Sequence, residues 1–382
     1  MAEDTRLIHT GETGKPLVKT VAPPIQKGST VLLPNAAALY DDDHFQTYGR
    51  QGLAAHDALK AGLCELEGAV GVALYPSGVA ALSGAMLAVL KAGDEVLVVD
   101  TIYKPTRRFC DQVLKRFGVS TRYYDPAQSP QDLVASAGPA TRLIVMESPG
   151  SLSFEMQDMA AIARLAKARG ILTLADNTWG ASLIYKPLAH GIDISVQALT
   201  KYVGGHSDVF MGSAAASDPA IAKALDDGVL HLGWAVAPED AYQMLRGLRT
   251  LSVRMARHGE NGLKIAQWLR TRPEVVEVLH PALPGASGHD LWARDYTGTC
   301  GLFGFVLQPT PPEKVEAFLD ALEIFGLGFS WGGFESLAIS CDDQLRSRSH
   351  RRTYAGPLMR LHIGLEDPAD LIADLERGFA AL

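Results

Sequence analysis

From Gly52 onward the sequence alternates short apolar runs with amphipathic segments, and this alternation restricts the possible folds most. The runs EVLVVD, TRLIVMESPG, ILTLADNTW and ISVQALTKY have the length and composition of buried strands, and helical patterns lie between them. Such alternation is typical of an α/β domain around a mostly parallel sheet. Ligands in these domains bind at the carboxyl ends of the strands, so the residues that follow each run are the first functional candidates.

Turn residues divide the remaining pattern into elements. A long small-residue helix is predicted from Ser77 to Gly93, another ends at Gly118, and a short one begins with Ser129 as its cap. After about Pro238 a long helical stretch continues through LKIAQWLR, and mixed strands and helices follow. We therefore predict an N-terminal arm at 1–52, an α/β domain at 53–247 and a smaller C-terminal α+β domain at 248–382.

Composition limits the class of protein. A chain of 382 residues with 47% hydrophobic residues can bury a large core. The net charge of −8 argues against nucleic-acid binding, and no apolar run reaches the roughly 18 residues of a membrane span. The start of the chain has no apolar signal region, and the His, Cys, Asp and Glu residues form no compact ligand cluster. We expect a soluble cytoplasmic protein with no metal and no membrane partner.

The four cysteines lie far apart in the sequence and form no C-x-x-C pair. We predict that Cys64, Cys110, Cys300 and Cys341 are reduced and mostly buried. A basic cluster at residues 346–352 is interpreted as a solvated face.

Two polar residues end neighbouring apolar runs. Lys201 ends the run before a Gly-rich turn, and Asp176 ends the run ILTLAD. Burial lowers the pKa of a lysine amine, and a neutral amine suits covalent chemistry with an aldehyde cofactor. If that cofactor has a pyridine ring, the Asp176 carboxylate would keep the ring nitrogen protonated. The residues alone leave two alternatives open, a solvated lysine and an aspartate that caps a helix.

Four motifs in order, ALYPSGVAAL, LADNTW, ALTKYVGGHSD and SWGGFESL, resemble the Cys/Met-metabolism family of pyridoxal-phosphate enzymes, most closely its cystathionine β-lyase branch. The similarity extends from TRLIHTGE near the start to RLHIGLEDPADLIADLERGF at the end. It implies a fold type I (aspartate aminotransferase-like) α/β structure, with a mostly parallel sheet in the large domain and a smaller C-terminal α+β domain. It also implies pyridoxal 5'-phosphate as cofactor, bonded to Lys201 and held by Asp176.

Further cofactor contacts follow from the resemblance. Unpaired N–H groups at a helix start can bind phosphate, although Ser77-Gly78 alone could equally form a tight turn. The resemblance assigns the phosphate to the N–H groups of Gly78 and Val79, with Thr200 as a further donor. Ala198 stands where family members often carry a serine, so one phosphate contact is expected to be missing or replaced.

Tyr103 follows the strand EVLVVD, where its ring could stack on a flat cofactor or lie half-buried in a loop. The resemblance implies that it stacks on the pyridine ring and takes part in proton transfer. In TYGRQG, Tyr48 and Arg50 would reach the cofactor phosphate of the adjacent subunit. That role requires at least a dimer, and the family suggests a dimer of dimers. On the residues alone, Arg50 could be a surface arginine beside a packed tyrosine.

The resemblance places substrate binding in the C-terminal part of the chain. Arg360 would bind the substrate α-carboxylate, with Ser330 and Trp331 shaping the pocket beside Tyr103. A structural salt bridge at Arg360 and a core position for Trp331 are the alternatives. Phe334 stands where relatives often have tyrosine.

The implied activity is that of a carbon–sulfur lyase of methionine biosynthesis, acting on a small sulfur amino acid. It would carry out α,β-elimination of L,L-cystathionine to homocysteine, pyruvate and ammonia, with possible activity on cystine and other cysteine S-conjugates. Two alternatives stay open: a γ-acting relative, either a cystathionine γ-lyase or a γ-synthase, and a non-catalytic protein that kept this fold for binding or regulation.

Overall fold

The structure is a computed structural model that describes residues 18–41 and 44–382. The TRLIHTGE motif at residues 5–12 lies outside the described residues. The predicted arm at 1–52 is therefore described only in part.

A mostly parallel sheet forms the larger layer of the described chain, as predicted. Its seven strands run in the order β1-β7-β6-β5-β4-β2-β3, and β7 is antiparallel to both of its neighbours. The strands are β1 (Gly71–Tyr75), β2 (Glu95–Val99), β3 (Ser120–Tyr124), β4 (Thr141–Glu147), β5 (Leu172–Asp176), β6 (Ile194–Gln197) and β7 (Gly212–Ala216).

A second, smaller sheet follows in the chain and is mostly antiparallel. Its order is β10-β11-β12-β9-β8. The strands are β8 (Val275–Leu279), β9 (Leu302–Leu307), β10 (Gly326–Leu327), β11 (Leu337–Ser340) and β12 (Leu358–His362).

Helices connect the strands of both sheets. The α-helices are α1 (Ala54–Glu67), α2 (Gly78–Val89), α3 (Lys104–Gln112), α4 (Pro130–Ala135), α5 (Met159–Lys167), α6 (Pro219–His231), α7 (Pro238–Arg249), α8 (Leu251–Leu269), α9 (His289–Asp295), α10 (Pro312–Asp320), α11 (Asp342–Leu345) and α12 (Pro368–Ala380). Short 3₁₀ helices cover Ala36–Tyr40, Gly49–Gln51, Leu114–Phe117 and Pro187–His190.

Three element predictions are wrong in their extent. The helix predicted to Gly93 ends at Val89, because Leu90 leaves the helical conformation. The long helix predicted after Pro238 is two helices, since Thr250 leaves the helical conformation, with a φ of −110° and a ψ of 7°. The strand predicted over the run ISVQALTKY is shorter than expected and ends at Gln197.

Apolar packing forms two clusters of buried residues. One fills the first sheet and its helices, and it extends to Leu302, Ile339 and Leu358 of the second sheet. The other lies between the second sheet and helices α8 and α12. The proposed boundaries after residues 52 and 247 stay predictions. The four cysteines are free, and three of them are buried, as predicted.

The parallel strands β4, β5 and β6 end side by side. The β4 and β5 registers pair Glu147 with Asp176, and β5 pairs Asp176 with Val196 of β6. Two carboxyl groups and the segment that leads to Lys201 therefore meet at one edge of the sheet. Among the described helices, none is both long and apolar enough to cross a membrane.

Candidate active site

A cavity of about 350 Å³ lies between the carboxyl ends of β4 to β6 and the loop that precedes β11. Nine of the predicted site residues line it: Gly78, Val79, Tyr103, Asp176, Thr200, Lys201, Ser330, Trp331 and Arg360. Tyr48 and Arg50 do not. Residues more than 280 positions apart in the chain thus meet in one space.

Lys201 lies where the chain turns away from β6. Its Nζ is 2.8 Å from the Ser330 hydroxyl and lies 5.5 Å from the centre of the Trp331 ring. Burial and the positive charge of Arg360 lower the pKa of Lys201 to about 8, against the opposing effect of Asp176. The amine is therefore neutral far more often than that of a surface lysine.

Asp176 ends β5, and Thr178 fixes its carboxylate. The Thr178 hydroxyl and backbone N–H donate to Asp176 Oδ1 at 2.6 and 3.1 Å. The same hydroxyl accepts from the Ala198 N–H at 2.9 Å. Burial raises the Asp176 pKa, while the Thr178 bonds and Lys201 act in the opposite direction. With Oδ1 occupied, Oδ2 remains for a cationic or N–H partner.

Glu147 was missed by the sequence analysis. It ends β4, lines the cavity, and accepts the backbone N–H of Tyr103 at 2.7 Å. Burial and the neighbouring Asp176 raise the Glu147 pKa well above its usual value. Burial thus raises the pKa of both carboxyl groups, while hydrogen bonds from Thr178 and the charge of Lys201 favour the charged form of Asp176. The rule that found Asp176, a carboxylate at a strand end, also applies to Glu147.

The start of α2 forms a cradle. Ser77 caps the helix by accepting the Ala80 N–H at 3.1 Å, and the N–H groups of Gly78 and Val79 have no acceptor within the helix. A Cβ added at Gly78 would lie 2.5 Å from the Ala198 Cβ. Glycine is therefore required where the helix start approaches Ala198.

The Thr200 hydroxyl lines the cavity but already has backbone partners. It donates to the Met211 carbonyl at 3.2 Å and accepts from the Met211 N–H at 3.0 Å. To donate a hydrogen bond to a phosphate, the Thr200 hydroxyl would have to give up its hydrogen bond to the Met211 carbonyl.

Tyr103 lies at the start of α3, where the ring is partly exposed to the cavity. Burial and the carboxyl groups of Asp176 and Glu147 raise the Tyr103 pKa, and Arg360 opposes them. The phenol is therefore protonated at neutral pH and can donate a hydrogen bond.

Arg360 is buried on β12. Its guanidinium donates to the carbonyl oxygens of Gly328, Phe329 and Ser330 at 3.0 to 3.2 Å, and its Nε has no partner among the described residues. None of its described partners is a carboxylate, so the salt-bridge alternative does not hold. Arginine keeps its charge when buried, and an uncompensated cation in a cavity favours an anionic ligand.

The same strand also holds the loop that precedes β11. His362, two residues after Arg360, accepts the Gly332 N–H at 3.0 Å. Gly332 has a φ of +84°, and a Cβ there would lie 2.8 Å from the Tyr202 nitrogen. Trp331 packs at 5.4 Å from the Tyr202 ring. The sequence analysis missed His362, although alternate residues of a strand share one face.

Tyr48 and Arg50 lie away from the cavity. Arg50 Nη1 donates to the Leu230 carbonyl at 2.7 Å, and Tyr48 is about half exposed. Their predicted contact with a neighbouring subunit stays a prediction. The basic cluster at residues 346–352 was predicted to be a solvated face, and for Arg348 this is wrong. Arg348 is partly buried and donates to the Ser153 hydroxyl.

The groups that line the cavity fit pyridoxal 5'-phosphate. The helix start offers free N–H groups at the cavity, where Gly78 allows the helix to approach Ala198 closely. The buried carboxylate of Asp176 and the half-buried Lys201 line the same space, as a protonated pyridine and an aldehyde require.

Comparison with known proteins agrees with this chemistry. Residues 4–380 match the family model described as Cys/Met metabolism PLP-dependent enzyme. The chain is 47% identical to a putative cystathionine beta-lyase of Rhizobium johnstonii, covering 99% of this chain and 96% of the relative. It is 39% identical to cystathionine beta-lyase MetC of Escherichia coli, covering 99% and 98%. A crystal structure of cystathionine gamma-lyase from Lactobacillus plantarum, complexed with L-serine, superposes with a TM-score of 0.87 at 30% identity and covers 100% of this chain and 99% of that one.

Proposed function

The chain belongs to the Cys/Met metabolism family of PLP-dependent enzymes, and we propose that it cleaves L,L-cystathionine by β-elimination to homocysteine, pyruvate and ammonia. Cystine and other cysteine S-conjugates are proposed as further substrates. The names of full-length relatives at 39–47% identity support a carbon–sulfur lyase of this kind. Family membership also argues against the non-catalytic alternative.

One observation carries the proposal for the substrate. Arg360 is a buried cation whose described partners are carbonyl oxygens, and it lies in the same cavity as the Lys201 amine. An α-amino acid presents a carboxylate to one of these groups and its Cα hydrogen to the other. This arrangement suits proton removal next to a bound carboxylate.

The cofactor would be held at both ends of its ring. Lys201 would bond its aldehyde carbon, Asp176 would accept the N–H of its ring, and the N–H groups of Gly78 and Val79 would bind its phosphate. When bound, pyridoxal 5'-phosphate supplies an electron sink that acidifies the substrate Cα hydrogen. Tyr103 would cover one face of the ring.

The remaining chemistry belongs to side chains of this protein. Arg360 and Ser330 would bind the substrate carboxylate and so orient its Cα hydrogen toward the Lys201 amine. The free Lys201 amine, whose lowered pKa of about 8 makes its neutral form accessible near neutral pH, would take that proton. The sulfur then leaves from the β-carbon as a thiolate, and the protonated Tyr103 phenol lies at the cavity to donate to it. Trp331 would exclude water beside the amine.

The assembly is proposed to be at least a dimer, and by the family pattern a dimer of dimers. The cavity of one chain holds no basic side chain besides Lys201 and Arg360 among its described lining residues. A phosphate dianion would gain a third cation if Arg50 of a neighbouring subunit reached it, with Tyr48 beside it. The partial exposure of Tyr48 is compatible with such a contact.

A γ-acting enzyme is the second candidate. The similarity to the solved cystathionine gamma-lyase over the whole chain favours it, because a γ-lyase would use the same cofactor groups. The identity to that structure is lower, at 30%, than the identity to the β-lyases named above.

The keto acid formed from L,L-cystathionine distinguishes the two. We expect pyruvate with homocysteine from the purified, cofactor-loaded protein, identified by mass spectrometry. Formation of 2-oxobutanoate with cysteine would instead identify a γ-lyase and leave the cofactor assignments intact. If neither keto acid formed, the lyase assignment itself would be wrong.

A further inference from the structure

A second chamber of about 380 Å³ adjoins the candidate active site. Tyr103, Lys201, Phe329, Trp331 and Arg360 line both spaces, so the two lie side by side across these side chains. The proposed function places the substrate α-carboxylate at Arg360 and its Cα near Lys201. It does not yet assign a binding site to the substituent on the substrate sulfur. The chamber behind Tyr103 is large enough to receive it.

The lining of this chamber is strongly basic. Eight of its described lining residues are not shared with the candidate active site: Ile102, Lys104, Pro105, Arg107, Arg108, Gln344, Ser347 and Arg348. Four of these eight are lysine or arginine, and none is aspartate or glutamate. The charge of the chamber is thus opposite to the net charge of the whole chain, which is −8.

Two of the four cations are already engaged. Arg107 forms a buried ion pair with Asp100, and its guanidinium also lies 3.6 Å from the centre of the Tyr123 ring. Arg348 donates to the Ser153 hydroxyl, and the nearby carboxyl groups of Glu155 and Glu147 stabilise its positive charge. These two arginines are therefore held in place as part of the chamber lining.

The other two cations are available to a ligand. Lys104 and Arg108 lie four residues apart on α3, so they share one face of the helix. Neither has a hydrogen bond or an ion pair with any residue in the described part of the chain. Lys104 is half-buried and Arg108 is exposed, so the pair extends from the chamber wall to its mouth.

We propose that this chamber binds the leaving-group half of the substrate through an anionic terminal group. The enzyme would therefore prefer S-substituted cysteines whose sulfur substituent ends in a carboxylate over those that end in a neutral or cationic group. This inference rests on the proposed function. With L,L-cystathionine, the distal carboxylate would meet Lys104 and Arg108, whereas the distal ammonium would find no carboxylate in the described chamber lining.

The expected effect is on binding more than on chemistry. Lys104 and Arg108 would contact a part of the substrate that is remote from the Cα and Cβ atoms, in the ground state and the transition state alike. Loss of either contact should therefore raise KM and change kcat little.

Three thioethers test the preference: S-(2-carboxyethyl)- and S-(2-carbamoylethyl)-L-cysteine, which are matched in size, and the smaller, cationic S-(2-aminoethyl)-L-cysteine. Each releases one pyruvate per β-elimination, so a single coupled assay follows all three. We expect kcat/KM to fall in that order, by about tenfold or more between the first and the last.

Charge removal assigns the preference to the chamber. In the double variant Lys104→Gln, Arg108→Gln, the ratio of kcat/KM for the carboxyethyl and carbamoylethyl substrates should fall close to one. The matched control is Arg116→Gln, since Arg116 is an exposed arginine just beyond α3 that lines neither space. It should keep the preference of the unmodified enzyme.

The outcomes separate the two levels of inference. Pyruvate from all three thioethers at equal kcat/KM, or a preference that the double variant retains, would overturn the role of the chamber and leave the lyase assignment standing. If none of them yielded pyruvate although L,L-cystathionine did, the chamber role would be overturned and the lyase assignment would stand. If L,L-cystathionine gave no keto acid either, the lyase assignment would be overturned, and the chamber role would fall with it.

Discussion

Lys201 shows how neighbouring groups set the reactivity of one side chain. Burial and the charge of Arg360 lower its pKa to about 8, although Asp176 favours the charged form. About one amine in ten is then neutral at pH 7, against fewer than about one in a thousand for an ordinary lysine. An amine attacks an aldehyde only in its neutral form.

Covalent capture of the cofactor should follow this ionisation. In the cofactor-free protein, the initial rate of pyridoxal 5'-phosphate attachment to Lys201 should rise with pH through a midpoint near 8 and level off above about pH 9. Borohydride reduction at timed intervals, followed by mass spectrometry of the intact chain, measures the rate. Nα-acetyl-lysine, treated in the same way, is the control and should keep rising beyond pH 10. A protein midpoint as high as that of the control would contradict the lowered pKa.

Thr178 holds the Asp176 carboxylate and the backbone of Ala198 with one hydroxyl. We expect Thr178→Val to raise the cofactor dissociation constant about tenfold, because Asp176 loses its shortest hydrogen bond and its position beside the ring. Equilibrium dialysis with pyridoxal 5'-phosphate measures this constant.

Thr173→Val is the matched control for that substitution. The Thr173 hydroxyl also joins a carboxylate and a backbone N–H, both of Asp193, and the residue is fully buried on β5, the strand that ends at Asp176. Both variants should lose about 1–3 kcal/mol of stability. An equal loss of cofactor affinity in the two would show that Thr178 has no special role.

At the scale of elements, β12 and the loop before β11 together form one side of the cavity, where substrate binding is proposed. Arg360 binds three carbonyl oxygens of that loop, and His362 accepts the N–H of Gly332. The loop carries Ser330 to within 2.8 Å of Lys201. Its path depends on the positive φ of Gly332, close to the backbone of Tyr202.

Gly332→Ala should therefore displace this loop. The new Cβ would lie 2.8 Å from the Tyr202 nitrogen and 2.9 Å from the Lys201 carbonyl carbon, which no flexible side chain can relieve. Misplacement of the loop by about 1 Å should lower kcat/KM for L,L-cystathionine about a hundredfold.

The control for this change is Gly285→Ala. Gly285 has nearly the same φ, +78°, but a Cβ there meets no atom within 4 Å. It should cost about 1–2 kcal/mol of stability by backbone strain and leave kcat/KM unchanged. A Gly332→Ala enzyme as active as this control would show that the loop tolerates the added methyl.

At the scale of the whole molecule, the proposed role of Arg50 requires a second chain. Lys201→Ala and Arg50→Ala should each be inactive or nearly so, the first by about a thousandfold or more. Refolding the two variants together should restore activity. One site of each mixed dimer then combines an intact Lys201 with an intact Arg50 from its partner, and roughly a quarter of all sites should be intact.

The pair Lys201→Ala and Arg360→Ala is the control for this mixing experiment. Both residues line the cavity of one chain, so a mixed dimer has one defect in each site and should stay inactive. Failure of the Arg50 mixture, under conditions in which the refolded unmodified protein recovers, would show that Arg50 acts within its own chain, for example through its bond to Leu230.

Much of the sheet could be predicted from the sequence because its central parallel strands β2, β4 and β5 are mostly apolar runs. β7 was missed because the segment GSAAA contains glycine, serine and alanine and lacks the β-branched residues that mark a strand. Its neighbours β1 and β6 supply the partners that make this segment a strand. Pairing of this kind is non-local and leaves no pattern within the segment.

The sequence alone predicts several groups that line the cavity, because strand ends and helix starts are local features. Asp176, Lys201 and the helix start at Gly78 were found in this way, and the family motifs added Tyr103, Ser330 and Arg360. The tertiary structure decided which of them act on one another, such as the Ser330 hydroxyl on the Lys201 amine. It also added Glu147, Thr178 and His362, whose roles depend on atoms brought near by folding. Burial and charge act through space, so pKa values and free cations such as Arg108 follow only from the folded chain.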